Sequence, residues 1–104
     1  MKNNQTFKSD ENKVPLQLVD PYFIEEVAKV LGFGADKYEI NSWKKIDNPI
    51  HRTQGSVMRH FNEYLKGNAI DPESNLPHLA HCASQLMILM WHERNKEENN
   101  ELRS

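Results

Sequence analysis

The chain has 104 residues and a net charge of −2 at pH 7, with 38 % hydrophobic and 27 % charged residues. Its pI is about 6.2 and its mean hydropathy −0.80, polar for a globular chain and unlike the clustered basic surface of a nucleic-acid binder. One small domain fits that length, and such a domain buries only roughly two thirds of its unfolded surface. The longest apolar run, Leu86 to Trp91, is far too short for a membrane span. The N-terminal stretch has no apolar segment of the secretory kind, and the one cysteine, Cys82, has no internal disulfide partner. Together these features lead us to expect a protein of a reducing cytoplasm.

Residues 1–13 are mostly polar or charged, with a lone Phe7, so ordering them costs more than burial returns and a flexible arm is expected. Val14 to Val19 is short and broken by Pro15, and is expected to lie extended against the core. A first helix is expected from Pro21, with Asp20 as its N-cap and proline at its first position. Phe23, Ile24, Val27, Ala28 and Leu31 recur at helical spacing and predict one buried face. Gly32 and Gly34 are expected to end this helix, because glycine accepts the left-handed conformation of a helix stop. Ala35 to Asn48 reads as an irregular aromatic loop with a helical turn in it.

A second helix is expected from about Arg52 to Leu65, with Val57, Met58, Phe61, Tyr64 and Leu65 in one apolar arc and Gly67 as its stop. Asp71 to Ser74 then makes a turn. A third helix is expected from near Pro77 to at least Glu93, apolar almost all round and therefore central and buried on most sides. Residues 95–104 form a charged tail. No repeat and no cleanly alternating strand is visible. The expected fold is all-α, a small bundle of about three main helices over residues 14–94. A core of roughly 80 residues rarely supplies ample stability, so a homo-oligomer is expected, with Met87, Met90 and Trp91 on the flank left uncovered.

Candidate chemistry concentrates on the last two helices. His78, His81, Gln85 and His92 fall within about 60° of one another on the helical wheel, a polar stripe on an apolar helix. Buried polar groups need partners, so such a stripe faces a hydrogen-bond network, a ligand or a metal, or consists of satisfied core histidines. Arg52, Arg59 and Glu63 share the polar side of the second helix, with His60 at its border. Arginine suits phosphate through its forked, permanently charged donors, although a solvated face of ion pairs has the same composition. Asp71 and Glu73 offer oxygen ligands for Mg²⁺ or caps for the third helix. Tyr38 and Trp43 are placed to stack on a base or to cover the core. There is no P-loop, HExxH, His-Asp dipeptide or GxSxG elbow.

The segments Glu25 to Tyr38, Asn41 to Lys45, Arg59-His60 with Gly67, and Ile70 to His81 resemble, in order, the motifs of one family. It is the phage-type dATP/dGTP diphosphohydrolase N-terminal domain family, and the resemblance covers roughly residues 14–92. It implies a small helical protein in a host cytoplasm that cleaves purine deoxynucleoside triphosphates to monophosphate and pyrophosphate with Mg²⁺, broadly like the MazG-type enzymes. By matching motif it assigns Gly34, Lys37, Tyr38, Trp43 and Arg59 to nucleotide binding and His60, His78 and His81 to catalysis. Asp71 and Glu73, with Glu26, would hold the metal, although the paired ExxE and ExxD signature of MazG-type enzymes is not recognisable. Two alternatives use the same residues. One is a non-catalytic sponge that sequesters a nucleotide messenger of host defence; the other is a helical adaptor whose histidine stripe is only an oligomer interface.

Overall fold

A computed structural model of the chain describes residues 12–96. Residues 1–11 and 97–104, most of the expected arm and tail, lie outside the described residues. The architecture is all-α, with helices α1 (Pro21–Lys37), α2 (Pro49–Leu65) and α3 (His78–Arg94). Short 3₁₀ turns occupy Leu16–Leu18 and Ser42–Lys45, the second being the helical turn expected in the aromatic loop. Two strands the sequence did not predict, β1 (Ile70–Asp71) and β2 (Leu76–Pro77), pair antiparallel as Ile70 with Pro77 and Asp71 with Leu76. They pinch the Asp71 to Ser74 turn at the base of α3. Helix α3 is the middle element, packed most extensively on α2 and also on α1.

The helix ends follow local chemistry, with two differences from expectation. The Asp20 carboxylate accepts the Tyr22 N–H at 3.2 Å, and Pro21 opens α1. Gly32 and Gly34 do not end α1, which runs through both to Lys37. A Cβ built on either glycine meets no atom within 4 Å, so no crowding demands glycine there. Glycine costs only about 0.5–1 kcal/mol in a helix interior, an amount that packing on α3 offsets. The first residues of the expected loop, Ala35 to Lys37, are therefore helical. Helix α2 opens at Pro49 rather than near Arg52, because Asn48 takes a left-handed conformation (φ 49°) and the fixed φ of proline suits the first helical position. Gly67, at φ 96°, does stop α2.

Burial departs from the sequence expectation on one side of each helix. On α3 the buried residues are His78, Ala80, His81, Cys82, Ser84, Ile88 and His92, while Leu79, Leu86 and Met90 are exposed. Small and polar groups face the neighbouring helices because they let the backbones approach. Ser84, with 0 % exposure, donates to the Ala80 carbonyl at 2.9 Å and lies 3.5 Å from the Val27 carbonyl of α1. On α2, Pro49 and Thr53 are buried, whereas Met58, Phe61, Tyr64 and Leu65 of the expected arc face outward. On α1, Val30 is buried and Val27 and Leu31 are half-buried, but Phe23, Ile24 and Ala28 are exposed. The Val14 to Val19 segment curls into its 3₁₀ turn with Leu16 and Leu18 in the open instead of lying on the core.

Among the described residues four apolar side chains are buried, against seventeen large apolar side chains that are exposed. The aromatic loop covers part of the flank expected to be bare. Trp43 meets Trp91 edge-on at 5.4 Å between ring centroids, leaving Met90 the open residue at 71 %. No helix among the described residues is long and apolar enough to cross a membrane.

Two substitutions test this packing in urea unfolding. Gly32→Ala raises the unfolding free energy by about 0.5–1 kcal/mol, the helix-interior cost of glycine. Ser84→Leu lowers it by about 1–3 kcal/mol, the usual penalty of an overpacked contact.

Candidate functional site

The C-terminal end of α1, the aromatic loop, one side of α2, the β1–β2 turn and the middle of α3 enclose a cleft of about 740 Å³. Most of the residues assigned from sequence converge there. Gly34, Lys37 and Tyr38 come from the end of α1, Trp43 from the loop, Arg59 and His60 from α2, Asp71 and Glu73 from the turn, and His81 from α3. His78 is buried behind His60, one step back from the cleft. Glu26 is not brought in; it pairs with Lys29 at 3.2 Å on its own helix. The Trp43 ring edge is committed to Trp91, so Tyr38, 69 % exposed, is the more open aromatic surface.

Three histidines of α3 tether three different segments. His92, 1 % exposed, donates from Nε2 to the Trp43 carbonyl at 2.8 Å and so pins the aromatic loop. His78 shares a hydrogen between its Nδ1 and the Nδ1 of His60 at 2.8 Å, which fixes the His60 ring. His81 reaches the turn through its Nε2, 2.7 Å from the Ser74 hydroxyl and 3.4 Å from an Asp71 carboxylate oxygen. The Ser74 O–H donates to that same Asp71 oxygen at 2.9 Å, and the Ser74 oxygen accepts the Leu76 N–H at 3.2 Å. With its one hydrogen spent on Asp71, Ser74 can only accept from His81, so His81 carries its proton on Nε2 and leaves Nδ1 as an acceptor. The His60 and His81 rings stack nearly parallel, 4.4 Å apart with 6° between their planes.

Electrostatics favour neutral imidazoles here. Burial pushes the His60 pKa below its usual value, and the neighbouring His81 and His78 push it further. Burial also lowers His81, against the pull of the Asp71 carboxylate. For Asp71, burial opposes ionisation, but the hydrogen bonds from Ser74 and the nearby His81 and His60 outweigh it and hold the carboxyl below the ordinary range. Lys37 donates to Glu73 across the mouth of the cleft, and that bond raises the lysine pKa.

The three carboxylates expected to hold Mg²⁺ do not gather at one point. One Asp71 oxygen is taken by Ser74 and lies near His81, Glu73 is paired with Lys37, and Glu26 lies outside the cleft. Among the described residues no group of three or more His, Cys, Asp or Glu side chains converges to hold a metal ion.

Ser74 gains a role that sequence reasoning did not assign, and Arg52 takes the place that its shared face with Arg59 suggested. Ser74, part of the turn motif, is the link between Asp71 and His81. Arg52 joins Arg59 on the cleft side of α2, a position its shared face with Arg59 on the helical wheel already signals.

Comparison with known proteins identifies the family of the chain. The family described as "dATP/dGTP diphosphohydrolase, N-terminal" matches residues 3–102, and the chain belongs to that family. A protein of Salmonella phage PMBT28 named "dATP/dGTP diphosphohydrolase" is 42 % identical over 96 residues, which cover 92 % of this chain and 32 % of the relative. The chain thus spans about a third of the length of the curated relative it matches. No solved structure matches it.

The histidine shifts have a signed consequence. A histidine whose folded pKa lies below its unfolded value stabilises the fold fully above the unfolded value, about 6.5, and that contribution is lost as pH falls through the folded pKa. Urea midpoints are therefore lower at pH 5.5 than at pH 7.5. Proton NMR titration places the His60 and His81 transitions below that of a free histidine.

Proposed function

We propose, from membership of the diphosphohydrolase N-terminal family and a cleft that holds Lys37, Arg52 and Arg59, that this chain binds purine deoxynucleoside triphosphates and hydrolyses them to monophosphate and pyrophosphate. The observation that carries the reading is a fixed, neutral His60 in the wall of a cleft that also holds Arg59. When His60 gives its Nδ1 hydrogen to His78, its Nε2 is a free acceptor beside the cleft. A pKa below its usual value keeps the imidazole unprotonated near neutral pH, the form a general base needs. In the proposed step His60 takes the proton of a water that attacks the α-phosphorus, the bond between the α-phosphorus and the bridging oxygen breaks, and pyrophosphate leaves. His78 and the His81–Ser74–Asp71 chain position that ring. Arg59 compensates phosphate charge, Lys37 exchanges Glu73 for a phosphate oxygen, and the base lies on Tyr38.

A second reading has its own support. Two of the cleft carboxylates are already engaged, Asp71 with Ser74 and Glu73 with Lys37, an arrangement suited to binding without turnover. Sequestration of a nucleotide messenger needs only the cations and the aromatic surface.

The proposal includes self-association through the outer face, where Met58, Phe61 and Leu65 of α2 and Leu79, Leu86 and Met90 of α3 are exposed. Apolar surface on this scale seeks a partner, and a second copy supplies a matching one.

Incubation with dATP or dGTP, followed by heat denaturation and chromatography, separates the two readings. Hydrolysis returns monophosphate and pyrophosphate in equal amounts; sequestration returns the triphosphate intact. Arg59→Ala weakens nucleotide binding by about 1.5–3 kcal/mol, roughly ten- to hundredfold, in isothermal titration. His60→Gln lowers the hydrolytic rate by about 10²–10⁴ while leaving affinity near that of the wild type. Sedimentation of the wild type gives a multiple of 12.2 kDa, and Phe61→Glu with Met90→Lys shifts it toward the monomer.

A further inference from the structure

Residues 39–48 supply much of the lining of the cleft, with Trp43, Ile46 and Asp47 among them. Most of the hydrogen bonds of this segment are internal. The Ser42 N–H donates to the Glu39 carbonyl at 3.2 Å, the Lys44 N–H to the Asn41 carbonyl at 3.0 Å, and Lys45 pairs with Glu39 at 3.7 Å. Among the described residues two hydrogen bonds join residues 39–47 to the helices. His92 Nε2 donates to the Trp43 carbonyl at 2.8 Å, and the Arg52 guanidinium reaches the Asp47 carbonyl at 3.5 Å, a long and weak contact. The segment ends at Asn48, whose left-handed φ of 49° adjoins the buried Pro49. A residue tolerant of unusual backbone angles beside a fixed one has the form of a hinge.

The latch at Trp43 is small and half satisfied. A carbonyl only accepts, so His92 spends its Nε2 hydrogen there and its Nδ1 is left as an acceptor. That nitrogen is buried and has no hydrogen-bond partner. An apolar side chain at 92 would fill the space without an unpaired nitrogen, so packing alone does not require histidine; the bond to the loop does. Rings surround that bond. Trp91 meets Trp43 edge-on, and the Lys44 Nζ lies 5.4 Å and 5.6 Å from the centroids of Trp43 and Trp91.

We propose that residues 39–48 are a lid over the cleft, hinged at Asn48, and that His92 is the positioning residue that holds it shut. Swinging the lid out exposes the indole edges to water, which favours the closed state. It also gives water to the Trp43 carbonyl and to His92 Nδ1, which favours the open one. These opposing terms keep both states accessible. The other polar lining groups, Arg59, His60 and His81, stay on α2 and α3, so a ligand that touches both sets draws the lid closed. Opening and closing need no particular ligand; the coupling of the lid to nucleotide rests on the proposed nucleotide reading of the cleft.

The two tryptophans of the chain, Trp43 and Trp91, are the two rings of the latch, so indole fluorescence reads its state. In the full chain carrying Trp91→Phe, Trp43 is the single tryptophan, and acrylamide quenching measures its access to solvent. Adding His92→Leu, which removes the donor, raises the quenching constant about twofold to tenfold, the population shift that loss of one hydrogen bond produces. His92→Gln, which keeps an N–H donor, restores the lower value. Far-UV dichroism with unchanged helix content separates lid opening from unfolding. Quenching that does not rise in His92→Leu overturns the lid, as does equal quenching in His92→Leu and His92→Gln. In a second arm dGTP is added to Trp91→Phe with His92 intact, and quenching falls as the lid closes. This arm changes nothing at 92 and so decides even where His92→Leu does not fold. Binding of dGTP by calorimetry with unchanged quenching overturns the lid and leaves the nucleotide reading standing. Quenching that depends on His92 in a protein that binds no dGTP upholds the lid and overturns the nucleotide reading.

Discussion

The polar side of α3 organises the molecule. Its histidines and Ser84 are buried, and each touches a different part of the chain. His92 holds the aromatic loop, His78 the ring of His60, His81 the Ser74–Asp71 turn, and Ser84 lies against the backbone of α1. A buried polar group is costly unless paired, so each tether is a specific register rather than a general attraction. An apolar core tolerates sliding of one helix on another. A set of single-partner hydrogen bonds does not, and that fixed register is what keeps the cleft residues in place.

This arrangement divides the fold into two surfaces of opposite character. Placing polar and small side chains between the helices sends Leu79, Leu86 and Met90 of α3, with Met58, Phe61 and Leu65 of α2, to the outside. The other side carries Lys37, Arg52, Arg59, His60 and His81 around the cleft. Internal hydrogen bonds thus take over a share of the cohesion that apolar burial normally provides. The apolar surface that remains is available for association with another copy.

Much of this was legible in the residues, for identifiable reasons. Helix number and type follow from periodicity, and Asp20-Pro21 and Gly67 act as the local rules for caps and stops require. The stripe of His78, His81, Gln85 and His92 is a consequence of spacing alone, and two of its members, His81 and Gln85, line the cleft. The direction of burial was not legible. A hydrophobic arc such as Val57 to Leu65 states that a face wants cover, but not whether its own chain provides it. Gly32 and Gly34 misled because a glycine permits a helix stop without compelling one; tertiary packing decided. The role of Ser74 was hidden because a serine in a turn is ordinary, and only the position of His81 above it turns it into a link.

The central claim is that nucleotide enters the cleft lined by the end of α1, the polar side of α2 and the β1–β2 turn. The most direct measurement is backbone and side-chain NMR shift mapping of the labelled protein during titration with dGTP. The account predicts saturable shifts at Gly34, Lys37, Arg52, Arg59, His60, Ser74 and His81, with Met58, Leu79 and Met90 of the outer face unmoved. Shifts confined to that outer face, or none at all at saturating dGTP, would contradict it.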